Sequence, residues 1–203
     1  GRLGTVPAPT IPLGLHVDVL AATLFLMVTF VATLIHVYSM EYMTEDPRQP
    51  LFFAYLSLFC FSMLGLIAAP NLFMIFVFWE LVGVCSYLLI GFWYEEKANA
   101  VAAGKAFVVN RVGDVGMLIG LGILWSALGT FDFQAISEGL RDADGRLHAP
   151  TAADPPDSVG FHPPGTLVEP TDGRSPVTIP YAMLTLAGLG IFAGCAGKSA
   201  QFP

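Results

Sequence analysis

Five stretches of this chain are apolar over lengths that match a lipid bilayer: about Val19 to Tyr38, Leu51 to Ala69, Leu72 to Trp93, Ala98 to Leu128, and from near Ile179 onward. A helix needs about 20 such residues to cross the ~30 Å hydrocarbon layer. Leu51 to Ala69 holds no charge in 19 residues, and Leu72 to Trp93 holds only Glu80 in 22. None of the five alternates apolar and polar residues with period two, which argues against a membrane β-barrel. Lipid offers no hydrogen bonds to a backbone, so each stretch must satisfy its own as a helix. The expected fold class is an all-α membrane protein with about five transmembrane helices. The fourth stretch is too long for a perpendicular span, so tilt or an overhang must absorb the excess.

Composition agrees with a lipid solvent. Only 12% of residues are charged and 55% are hydrophobic, whereas soluble domains carry about 25% charged residues. The net charge of -7 is concentrated. Between Thr130 and Thr178 eight acids face three arginines, Arg141, Arg146 and Arg174. Lys and Arg cluster nowhere, so the chain presents no nucleic-acid face. Cys60, Cys85 and Cys195 lie far apart inside apolar stretches, which fits helix packing and no disulfide, zinc or iron–sulfur site. His36, near a helix end, reads as an interfacial or packing residue.

The organisation follows. Residues 1–14 form an N-terminal extramembrane segment with three prolines and no signal-peptide core. Residues 15–130 hold the first four helices. Residues 131–178 form an acidic Pro/Gly-rich extramembrane region, and 179–203 the start of a fifth helix. The chain opens on Gly1 and stops at Pro203 within an apolar run, so both ends read as cut. Ala69-Pro70-Asn71 makes the second and third helices an antiparallel hairpin. Phe131, Phe133, Ile136 and Leu140 form a short amphipathic patch suited to a membrane surface. Asp142 to Pro176 reads as an exposed loop with little regular structure, dispensable for the core. Lys97 and Lys105 place the Tyr94–Asn99 connection inside the cell or matrix, and the acidic region with the Ala69–Asn71 turn outside.

The charges inside the spans carry the functional signal. Glu80 lies near the midplane, where a charged side chain costs ~2.5–3.5 kcal/mol and must be paired, hydrated or protonated. Lys198 follows a run of small residues from Gly188 to Gly197, which permit close helix approach or local unwinding. A buried carboxylate and a buried amine on different helices stabilise one another's charge, which is the basis of a proton switch. Arg111 and Asp114 stand three residues apart on one helix face, where a local ion pair is the simplest arrangement. Lys105 lies about two turns into the same helix on the opposite side, too deep for an ordinary headgroup anchor.

Long strings then carry a resemblance: Phe52-Phe53-Ala54-Tyr55, Asn71-Leu72, Phe78-Trp79-Glu80-Leu81-Val82-Gly83-Val84-Cys85-Ser86-Tyr87 through Trp93, Lys105 through Asp114, and Gly197-Lys198-Ser199-Ala200-Gln201-Phe202-Pro203. They resemble the antiporter-like membrane subunits of respiratory complex I, NADH–quinone oxidoreductase, and within them the subunit L or chain 5 group. The similarity covers about Leu15 to Phe133 and Pro180 to Pro203. Leu140 to Thr178 departs from the pattern as an extended loop with no assigned role.

The resemblance implies part of an inverted-repeat bundle whose last helix is broken or truncated. It implies a proton half-channel in which Glu80 pairs with Lys198 and Asp114 shares their polar neighbourhood. The candidate proton-transfer residues are therefore Glu80, Lys198, Asp114, Lys105 and Arg111. It implies no cofactor on this chain, with NADH, FMN, iron–sulfur clusters and quinone in partner subunits. The expected partners are the other membrane subunits of complex I and the lipid bilayer. The expected location is the inner (plasma) membrane of a bacterium rather than of a mitochondrion. Two alternatives stand beside this reading: an Mrp-type cation/proton antiporter subunit, and a membrane scaffold with structural charges. The string from Asn110 to Asp114 with Cys85-Ser86-Tyr87 favours complex I over the first. Charges inside three separate helices weigh against the second.

Overall fold

A computed structural model describes residues 13–141, 155–161 and 177–199. In chain order the elements are α1 (Val19–Tyr42), α2 (Gln49–Ile67), α3 (Leu72–Ile90), α4 (Lys97–Leu128), α5 (Phe133–Leu140), β1 (Ser158–Phe161), β2 (Val177–Pro180) and α6 (Tyr181–Lys198). α1, α2, α3, α4 and α6 are each long and apolar enough to cross a membrane. The chain is a multi-pass membrane protein, and its apolar side chains point outward: α1 buries only Ala21 and Ser39.

Polar residues set the helix ends. Asp18 caps α1 by accepting from the Ala21 amide at 2.6 Å. Asn71, fully buried, caps α3 through the Met74 amide at 2.8 Å. Asp132 caps α5 through the Ala135 amide at 2.9 Å. Each caps an amide that has no partner within the helix. α4 stops at Gly129, whose φ of 68° is left-handed and suits glycine. At 32 residues α4 is about 48 Å long, well over the ~30 Å hydrocarbon layer.

The bundle has two ends. At one, Leu72 N–H donates to Phe131 C=O at 3.0 Å and His16 N–H to Ala68 C=O at 3.0 Å. This end therefore gathers the α2–α3 turn, the residues before α1 and the start of α5. At the other, Arg48 bridges to Glu95 at 2.7 Å and the Trp93 indole N–H donates to Asp46 at 2.7 Å. This clasps the α1–α2 connection to the α3–α4 connection.

α4 and α6 run antiparallel with their backbones in near contact. A β-carbon on Gly113 would lie 2.7 Å from Ala193 O, one on Gly120 2.5 Å from Ala187 O, and one on Gly190 2.6 Å from Gly116 O. Small residues thus let two long helices approach more closely than any larger side chain allows.

The region expected to be an exposed loop with little regular structure holds one short strand among the described residues. The stretch from Asp142 to Pro176 contains a strand, β1, which pairs antiparallel with β2 in the register Val159–Ile179 and Phe161–Val177. Val159, Phe161 and Ile179 are buried with Leu128 in one apolar cluster. Ile136 and Leu140 of α5 pack on that cluster, so part of the amphipathic patch faces protein rather than a membrane surface. The reason is burial of aromatic and β-branched residues, which even a Pro/Gly-rich segment gains if four suitable residues meet a partner strand. β2 also begins before the expected fifth helix, which starts at Tyr181. α6 is unbroken from Tyr181 to Lys198. The remainder of the loop, 142–154 and 162–176, and both chain ends lie outside the described residues.

Candidate functional site

Three helices bring charge to one level inside the bundle. Glu80 is the ninth of the 19 residues of α3, Arg111 and Asp114 sit midway along α4, and Lys198 is the last residue of α6. The tight α4–α6 seam fixes the last two elements relative to each other. Gly197 meets Gly113 there, so Lys198 is delivered to the level of Arg111 and Asp114.

The ion pair is between Glu80 and Arg111. The expected local pair of Arg111 with Asp114 is absent from the salt bridges of the described residues. The cation in direct contact with Glu80 is Arg111 rather than Lys198. Arg111 reaches across because its guanidinium lies over the Phe107 ring, one turn back on α4, at 4.9 Å. A planar cation stacked on an aromatic face can extend sideways to a carboxylate on the next helix.

Lys198 occupies a different face of α3. Its ammonium donates to the Trp79 carbonyl and lies 5.0 Å from the Trp79 ring centroid. Gly83, one turn further along α3, leaves room for it: a β-carbon there would be 3.1 Å from Lys198 Nζ. Asp114 is 4% exposed. It interacts electrostatically with Lys198 and Arg111, and the Trp79 indole comes near its carboxyl. Among the described residues neither Trp79 Nε1 nor Asp114 Oδ1 has a hydrogen-bond partner, and both are buried. Glu80, Arg111, Asp114 and Lys198 thus bring two positive and two negative groups together from three helices. Charges this close and partly enclosed offset one another's desolvation, and a proton shifted within the group redistributes every attraction in it.

Lys105 stands apart. It is exposed on α4 and makes no ion pair among the described residues. His36 donates from Nδ1 to Ala32 C=O at 2.7 Å and packs on Phe53, a packing role. Cys85 is buried with its sulfur 3.7 Å from Ser62 Oγ. Trp79 is the site residue that the sequence alone does not single out. Its signal was its place beside a midplane glutamate with a glycine one turn on.

Residues 69–203 match the family described as NADH:quinone oxidoreductase/Mrp antiporter, TM. The chain belongs to this antiporter-like family. The stretch holding all four clustered charges lies inside the match. Residues 5–53 match a second family, NADH-ubiquinone oxidoreductase (complex I), chain 5 N-terminus, which agrees with the chain 5 resemblance of the sequence. An NAD(P)H-quinone oxidoreductase chain 5 from Picosynechococcus is 44% identical over 94% of this chain and 24% of its own length. The chloroplastic subunit 5 of Chlorokybus atmophyticus is 45% identical over 96% of this chain and 26% of its own. A chain 5 from Synechocystis is 56% identical over 63% of this chain and 19% of its own. The chain therefore spans about a quarter or less of the length of these antiporter-like relatives.

Proposed function

We propose that this chain is part of a proton-translocating membrane subunit of an NADH:quinone oxidoreductase, and that Glu80, Arg111, Asp114 and Lys198 are its proton relay. The observation that carries the reading is the meeting of two acids and two bases from three helices at midspan. Such groups are costly there unless they are used. The chain 5 relatives and the chain 5 N-terminal match support an oxidoreductase subunit over an Mrp-type antiporter. NADH, flavin, iron–sulfur clusters and quinone belong to partner subunits, and this chain moves protons.

In the relay Glu80 is held as an anion by Arg111 while Lys198 rests on Trp79. Protonating Glu80 releases Arg111, which then turns to Asp114, its neighbour one turn along α4. Lys198 is the exchanging base: its approach to Asp114 or Glu80 favours the carboxylate, and its retreat favours the acid. Lys105, exposed on the other side of α4, enters the relay only through a group outside this chain. The cyanobacterial relatives favour a bacterial inner membrane, with the Tyr94–Asn99 connection inside.

The deciding experiment replaces Glu80 with Gln in the full-length subunit within its complex and measures protons pumped per NADH oxidised in sealed vesicles. The expected outcome is a lower stoichiometry in an assembled complex. Wild-type stoichiometry would overturn the relay.

A further inference from the structure

We propose that Trp79 is a positioning residue for Lys198: its indole face is the resting seat of the ammonium, holding it off the carboxylates between transfers. The inference deepens the relay reading and rests on it. Two parts of one residue converge on Lys198. The ring lies under the ammonium at 5.0 Å, and the backbone carbonyl of the same residue accepts from it. A mid-helix carbonyl bonded to the amide one turn on retains a second lone pair, which the ammonium uses here. Gly83 clears the approach, since a β-carbon there would stand 3.1 Å from Nζ. No larger residue fits at this point without pushing Lys198 aside.

The same indole lies near both of two groups that attract. Lys198 interacts electrostatically with Asp114, yet its direct contacts are to Trp79. The other edge of the indole, Nε1, is buried without a hydrogen-bond partner among the described residues and lies near Asp114. Trp79 therefore holds the base while lying beside the acid, and Lys198 must leave its seat to pair with Asp114. A seat that prefers a charged amine, in low dielectric, biases Lys198 between two discrete positions.

The test uses the full-length subunit in its complex. Trp79→Leu removes the π face and keeps an apolar side chain; Trp79→Phe keeps a face and removes the N–H. With assembly equal on native gels, Trp79→Leu should lower the pumping rate about five- to thirty-fold, the span from an exposed to a desolvated cation–π contact. Trp79→Phe should restore most of it. In a Lys198→Ala background Trp79→Leu should add nothing. Because Leu substitution can impair folding, site-specific incorporation of tryptophans carrying one, two and three ring fluorines provides a shape-preserving series. Fluorine withdraws π density, so pumping should fall stepwise. A flat fluorine series, full pumping by an assembled Trp79→Leu complex, or Phe failing as badly as Leu would each overturn the seat. If Lys198→Ala alone pumps normally, the relay itself fails, which separates the two ideas.

Discussion

The Lys198 ammonium at the end of α6 rests on the Trp79 indole and carbonyl of α3, one residue before the glutamate that Arg111 engages. The two cations of the site thus divide one turn of α3 between them. Arg111 takes the side chain at 80 and Lys198 the backbone and ring at 79. Each is steered there by its own helix: Arg111 by Phe107, and Lys198 by the glycine seam that brings α6 close to α4.

That division predicts a graded effect at Gly83. A β-carbon at 83 would meet Nζ at 3.1 Å, tight but against the tip of a flexible chain. Gly83→Ala should therefore assemble and pump at a modestly reduced rate. Gly83→Val, whose branches fill the space of the ammonium, should assemble yet pump far more slowly. Equal pumping by both variants would show that Lys198 does not work from this position.

The α4–α6 seam predicts contrasting glycines. Gly120→Ala places a methyl 2.5 Å from a backbone oxygen of α6, and overpacking of this kind costs about 1–3 kcal/mol. A β-carbon on Gly122, on the same helix, would meet nothing within 4 Å among the described residues. Gly122→Ala should be neutral or stabilising by up to ~1 kcal/mol, the helix preference of Ala over Gly. Thermal unfolding of the purified subunit complex measures both, and a Tm loss shared equally by the two would refute the seam.

The clasp at the other end carries a pH prediction. The Trp93 hydrogen bond, then the Arg48 amide, hold the Asp46 carboxyl below its usual range. A depressed carboxylate adds stability above its unfolded pKa and loses it as pH falls through the folded value. The Arg48 amide, bonded to Asp46 at 2.8 Å, should thus stay protected from hydrogen exchange at neutral pH and lose protection only below the ordinary carboxylate range. Trp93→Phe should move that loss to higher pH. An unchanged exchange profile would show that the indole does not tune Asp46.

The spans were legible because lipid imposes a length and a hydropathy that tertiary packing cannot mask. Glu80 and Lys198 stood out for the same reason. The partner of Arg111 was not legible, because spacing along α4 says that Asp114 shares its face and nothing of what α3 offers opposite. β1 was hidden for a related reason. Ser158–Phe161 is four residues long, and only the meeting with Val177–Pro180 makes it a strand.

β1 bears on the expectation that the whole region can be removed. Phe161 is fully buried with Leu128, Val159 and Ile179, and truncating a buried Phe to Ala costs about 3–5 kcal/mol. Phe161→Ala should loosen the end of α4 and the start of α6, seen as faster hydrogen exchange near Leu128 and Ile179. Deleting Asp142–Pro176 entire should do the same or worse. Wild-type exchange in both would mean that the cluster contributes nothing.

The last prediction concerns Glu80 and Arg111. Breaking a buried pair from one side leaves the other charge uncompensated, whereas removing both charges removes the cost as well as the gain. Arg111→Ala alone should therefore reduce assembly more than the double change Glu80→Gln with Arg111→Ala. The side chains are 20% and 41% exposed within this chain, so the pair is less enclosed than a core pair, and the coupling should fall within ~0.5–3 kcal/mol. Function should behave differently. Pumping needs Glu80 as the proton carrier, so the double variant should regain assembly without regaining pumping. Arg111→Lys keeps the charge but loses the planar group that stacks on Phe107, and should assemble while pumping at an intermediate rate. Assembly and protons per NADH, measured on wild type, the two single changes, the double change and Arg111→Lys, separate the structural effect from the functional one. A double variant that recovers both would mean the pair is structural and the proton takes another route. Additive losses in assembly would mean the two residues do not meet.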